Sequence, residues 1–133
     1  MRLKAKIIID AELKRAHSQG LFATIINKGD ESAGQIYVVI VKNSLENILI
    51  GPPFGTSFDE SGEKLWQYPI SGKPIAETDI NQYLRKTRQF DPDIYILEIE
   101  DKTLTYRPSG KFSLNEQDAQ QTAKQQAEQW FKK

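Results

Sequence analysis

With 133 residues, no cysteine, and 18 basic residues against 18 acidic ones, the chain has the size and balance of one soluble domain. The missing cysteines exclude disulfides, thiol nucleophiles and thiolate metal sites, and agree with a cytoplasmic location. A formal net charge of zero disfavours a nucleic-acid partner, which usually draws a basic excess.

The first apolar run is only Ile7 to Ile9 before Asp10 and Glu12 intervene, well short of the roughly 7–15 apolar residues of a secretory signal. No segment approaches the roughly 18 apolar residues of a membrane span, so no membrane partner is expected. Ile9, Leu13, Ala16 and Gly20 recur at helical spacing, with Glu12, Lys14, Arg15 and Gln19 elsewhere around the wheel. They predict a surface helix over residues 7–19, stopped by Gly20.

Residues 21–27 are rich in β-branched side chains and read as a strand, and residues 28–34 as a turn. Residues 35–41 are apolar on both faces, which places that strand in the middle of a covered sheet. Residues 47–50 make a third short strand, and the close spacing favours an antiparallel meander. After Gly51-Pro52-Pro53-Phe54-Gly55 comes an irregular loop, then a strand over residues 64–68. Ile80, Tyr83, Leu84 and Thr87 mark a second amphipathic helix over residues 78–89, ended by Asp91-Pro92. Residues 94–100 form the fifth strand. Ser113-Leu114-Asn115-Glu116 fits a capping box, and Ala119, Ala123, Ala127 and Trp130 form a thin helical stripe. Residues 103–111 read as a linker to that last helix.

The carboxylates around Ile94–Ile99 attract attention first. Pro92-Asp93 with Glu100-Asp101-Lys102 matches the PD…(D/E)xK pattern of metal-dependent nucleases. Strand geometry defeats the match: Asp93 and Glu100 stand roughly 23 Å apart along one strand and on opposite faces. One metal ion takes oxygens at about 2.0–2.6 Å, so no metal site is assigned. Glu98 and Glu100 share a face, roughly 7 Å apart, and read first as a solvated strand end. Asp91 and Asp93 flank Pro92, where an Asp side chain can bond the backbone two residues on. Arg85 and Arg88 sit on the second helix, and Arg88 with Asp91 reads as an i,i+3 ion pair. Trp66 on its strand reads as core. His17 is the only histidine and has no partner at ligand spacing. The prolines of 51–55 remove donors that a phosphate cradle needs.

The run Phe90-Asp91-Pro92-Asp93-Ile94-Tyr95-Ile96-Leu97-Glu98-Ile99-Glu100-Asp101 resembles the signature of a small bacterial family, the domain of unknown function 1491 family, found mainly in alphaproteobacteria. Arg15-Ala16 with Gly20, Lys28-Gly29-Asp30 with Ala33-Gly34, and Trp66 after Glu63-Lys64 occur in the same order. The likeness covers residues 3–102. It departs from the pattern at Tyr95, where tryptophan is common, and at Lys64, where arginine is expected. The resemblance implies a compact α+β fold and carries over no catalytic residue.

Together these readings predict a single α+β domain over residues 1–110: a mostly antiparallel sheet of about five strands, with two packed helices mainly on one face. A C-terminal helical tail over residues 111–133 is expected to dock on the domain or face a partner. No catalytic residue and no cofactor are assigned. The leading reading is a non-catalytic binding or accessory domain acting through a protein partner or a homodimer, with Trp130 and Phe131 as interface residues. The alternative is a small-molecule- or metal-binding enzyme with a site at Trp66, Arg85, Arg88, Asp91, Asp93, Glu98 and Glu100, near the Phe54 loop.

Overall fold

The structure, a computed structural model, describes residues 3–113. Helix α1 spans Ala5–Ser18 and buries Ala5, Ile8, Ile9, Glu12 and Ala16, a single stripe at i,i+3/i+4 spacing. Gly20, with φ at 77°, supplies the left-handed turn that ends it. The Leu21 and Gly20 N–H groups then donate to the Ala16 and His17 carbonyls, which satisfies two orphan acceptors of the last turn.

Six strands and a second helix follow: β1 (Phe22–Asn27), β2 (Ile36–Val41), β3 (Asn47–Ile50), β4 (Leu65–Trp66), α2 (Glu77–Phe90), β5 (Tyr95–Glu100) and β6 (Lys111–Phe112). The main sheet has the order β1-β5-β2-β3. β5 runs antiparallel to β1 and parallel to β2, and β2 pairs with β3 as an antiparallel hairpin. The domain is therefore α+β with a mixed sheet. The expected meander gives way because β5 inserts between β1 and β2. Its residues Tyr95, Ile96, Leu97 and Ile99 are buried on both faces, and only a central position covers both. The expected strand over 64–68 is two residues long and pairs in parallel with β6, in a separate two-stranded ladder.

The helices cover opposite faces of the sheet, not one. Ile8, Ile9 and Ala16 of α1 pack with Val38, Ile40, Leu97 and Ile99. Ile80 and Leu84 of α2 pack with Tyr37, Val39, Leu49 and Ile96. Alternation along β2 sends its side chains to the two clusters in turn, so the doubly apolar sequence of that strand needs a layer on each side.

The expected linker at 103–111 is part of the domain. Tyr106 is buried, Ser109 accepts a hydrogen bond from the Trp66 indole at 3.0 Å, and the Ser113 N–H donates to the Trp66 carbonyl at 2.8 Å. The expected tail helix beyond Ser113, with Trp130 and Phe131, lies outside the described residues.

Candidate functional site

The residues singled out around 85–101 separate into two groups. Most of the carboxylates build the fold. Asp91 accepts the Asp93 N–H at 3.1 Å, which closes the turn around Pro92. The Asp93 carbonyl accepts the Asp30 N–H at 2.9 Å, and the Ile94 carbonyl accepts the Asn27 amide at 2.7 Å. The 28–34 turn thus lies directly on the start of β5. A side chain at Gly29 would place its first carbon 2.3 Å from the Asp93 carbonyl oxygen, and one at Gly34 would come within 2.7 Å of it. The Lys28-Gly29-Asp30, Ala33-Gly34 and Phe90–Asp93 segments are therefore one packed backbone junction. Sterics alone account for glycine at positions 29 and 34 of this junction, with no chemistry required.

Asp101 is buried, and its carboxylate organises the chain after β5. It accepts from the Thr103 N–H (3.0 Å) and hydroxyl (2.7 Å), the Thr105 N–H (3.0 Å) and the Tyr106 N–H (2.8 Å). Burial pushes this carboxyl up, but the hydrogen bonds from Thr103, Tyr106 and Thr105 outweigh burial and hold it below its ordinary value. The loop includes Leu104 at φ 55°, a strained backbone position held by those anchors.

Three candidates do converge. Arg85 and Arg88 of α2 and Glu98 of β5 line a cleft of about 260 Å³ between α2 and the sheet, with Glu77 at its rim and Val39, Ile80 and Ile96 beneath. Glu98 is half-buried. Burial, then the charges of Glu100 and Glu77, hold its carboxyl above the ordinary range. Among the described residues Arg85, Arg88 and Glu98 form no ion pair, and the expected Arg88–Asp91 pair is not made. Trp66, Asp91, Asp93 and Glu100 do not line this cleft. Trp66 is fully buried on the opposite side of the sheet, and the Phe54 side chain is exposed. No group of three or more metal-ligating side chains occurs among the described residues.

Beside the cleft lies β1. Cross-strand pairing of Phe22 with Glu100 and Thr24 with Glu98 puts those four side chains on the α2 face. There α2 stops short of β1, and Phe22 and Ile26 are 67% and 55% exposed. The outer edge of β1 has no strand partner among the described residues. The opposite edge of the sheet is covered: Asn47 exchanges backbone hydrogen bonds with Ile75, and Gly51 with Gln67.

Sequence reading missed a buried polar cluster. Glu12 lies on the covered stripe of α1, four residues before Ala16. Its carboxylate accepts the Tyr106 hydroxyl and the Ser109 N–H, and Arg15 sits 3.5 Å away. Arg15 also donates to the Arg107 carbonyl at 2.6 Å. Burial, then the Glu12 hydrogen bond and charge, push the Tyr106 hydroxyl well up, against an opposing pull from Arg15. The positional signal was available, because Glu12 falls in register with Ile8, Ile9 and Ala16. The cluster's hydrogen bonds tie α1 to the 103–109 segment, and its residues line neither the cleft by α2 nor a second cavity beside α1.

The model of a family described as a protein of unknown function (DUF1491) matches residues 3–108. The fold is similar to a crystal structure of a DUF1491 protein from Caulobacter crescentus CB15, at 30% identity and TM-score 0.63, covering 77% of this chain and 89% of that one. An NMR structure of a DUF1491 protein from the same organism aligns at 29% identity and TM-score 0.69, covering 85% and 98%. A solution structure of an A. tumefaciens protein aligns at 28% identity and TM-score 0.64, covering 83% and 100%. No curated protein matches the chain. Among the described residues no helix is long and apolar enough to cross a membrane.

Proposed function

Because this chain belongs to the DUF1491 family, described as being of unknown function, its role has to be argued from its own surface, and we propose a non-catalytic binding domain that self-associates through β1. The carrying observation is the outer edge of β1, which has no strand partner among the described residues. Its sequence Phe22-Ala23-Thr24-Ile25-Ile26-Asn27 has no charge and no proline. Sheet proteins usually blunt such edges with Lys, Pro or bulges, and an unblunted apolar edge recruits another strand. Here, among the described residues, one irregularity at the end of the register, between Ile25 and Asn27, is the only blunting device.

A second copy suits this edge better than a partner of one charge sign. A two-fold pairing of β1 with itself sets each patch against its own image. The adjoining rim carries Arg85 and Arg88 together with Glu77 and Glu98. A rim of both signs complements its image, whereas a rim of one sign would repel it.

Light scattering across a concentration series tests the reading. The wild-type chain is expected to dimerise, and Phe22→Lys and Ile26→Lys to be monomeric. Both positions are exposed, so at concentrations where the wild type is also monomeric their stability should stay within about 0.5 kcal/mol of it. A wild-type monomer at every concentration ends the proposal. A dimer that survives both substitutions but is lost on removing residues 118–133 transfers the contact to Trp130 and Phe131.

The small-molecule reading has weaker support. Arg85, Arg88 and Glu98 meet in the cleft by α2, but Asp91, Asp93 and Glu100 stand outside it.

A further inference from the structure

A second cavity, independent of the β1 edge, lies between the start of α1 and the 55–58 loop. It has a volume of about 360 Å³, and Lys64 forms part of its wall. That size falls in the range of small-molecule sites, roughly 300–1,000 Å³. Lys64 is 8% exposed. Its ammonium donates to the Leu65 carbonyl at 2.9 Å and lies 4.2 Å from the Trp66 ring centre and 5.6 Å from that of Phe58. Among the described residues it has no carboxylate partner. A carbonyl and two ring faces leave a buried positive charge without a full counter-charge, an arrangement proteins rarely keep. Consistent with that, burial pulls the Lys64 amine down to about 8.

The rest of the wall indicates what would complete the site. Among the described residues no Asp or Glu lines it, and a second lysine, Lys4, contributes to its wall. The rest of the wall is mixed: Ile8, Ile36 and Phe58 supply an apolar side, and Ser32, Gln35, Thr56 and Ser57 supply polar groups. One buried cation balances one negative charge, which fits a carboxylate better than a doubly charged phosphate. The apolar side formed by Ile8, Ile36 and Phe58 suits a ligand with an apolar body.

We propose that this cavity binds a small organic monocarboxylate, its carboxylate against Lys64 and its hydrocarbon part against Ile8, Ile36 and Phe58. Amide NMR titrations of the full chain with benzoate and hexanoate, each paired with the alcohol of the same skeleton, provide the test. The acids are expected to shift the resonances of residues 34–36 and 57–65 and to bind about tenfold tighter than the alcohols, the difference one charge-assisted hydrogen bond makes. Lys64→Met should abolish the preference for acid, and Lys64→Arg should keep it. The proposal is overturned if acids and alcohols bind alike, if no probe shifts those resonances, or if Lys64→Met retains the preference. Should Lys64→Met not fold, the wild-type comparison of acid with alcohol and the Lys64→Arg result decide the matter.

Discussion

Single residues carry the structural load in this chain through buried carboxylates, and Asp101 shows how. Four of its hydrogen bonds, at 3.0 Å or less, come from three residues of the segment that follows it. Asp101→Asn replaces one acceptor oxygen with a donor that meets other donors. The expected cost is about 2–3 kcal/mol at pH 7, read from urea denaturation. The sign of the pH dependence follows from the lowered carboxyl. A depressed native value means that its stabilisation is complete above the ordinary carboxylate value of about 4 and is lost as pH falls through the native one. The difference between wild type and Asp101→Asn should therefore shrink on acidification below about pH 4. Asp101 was visible in the sequence only as one member of an acidic run. Nothing in its spacing announced that it points inward.

At the scale of elements, amphipathic periodicity located both helices within two residues at either end, because a 3.6-residue stripe is a local property. It misjudged what the first stripe contains. Glu12 reads as part of the polar side of the wheel, yet Tyr106 and Ser109 make its burial tolerable from 94 and 97 residues away. Turns show the same division. Gly20 as a helix stop was legible, since a left-handed C-terminal residue is a local requirement. The need for glycine at position 29 was not, because the obstructing atom belongs to Asp93. Gly29→Ala sets a methyl against three backbone atoms, at 2.3, 2.6 and 2.8 Å, none of which can rotate away. It should cost about 2–4 kcal/mol in chemical denaturation, far above the effect of an ordinary surface substitution.

On the scale of the whole molecule, closure depends on the residues after β5. Trp66 is fully buried, with Ser109 accepting from its indole and Ser113 donating to its carbonyl. Tyr106 links the same segment to α1. Ending the chain after Lys102 should expose Trp66 and shift its fluorescence to the red, whereas ending it after Ser113 should leave the emission blue. Both truncations remove Trp130, so Trp66 is the only reporter. The sequence by itself determined the α+β class, the two helices, the doubly buried β2, the existence of β5, and the turn at Pro92. Each of these depends on periodicity or on dihedral preferences within a few residues. Only the tertiary structure decided that β5 separates β1 from β2 and that the helices take opposite faces. It also brought Arg85, Arg88 and Glu98 to one cleft and left Lys64 buried beside the cavity at the 55–58 loop. Those outcomes join residues dozens of positions apart, and the free energy that selects among such pairings is burial of surface from both partners at once.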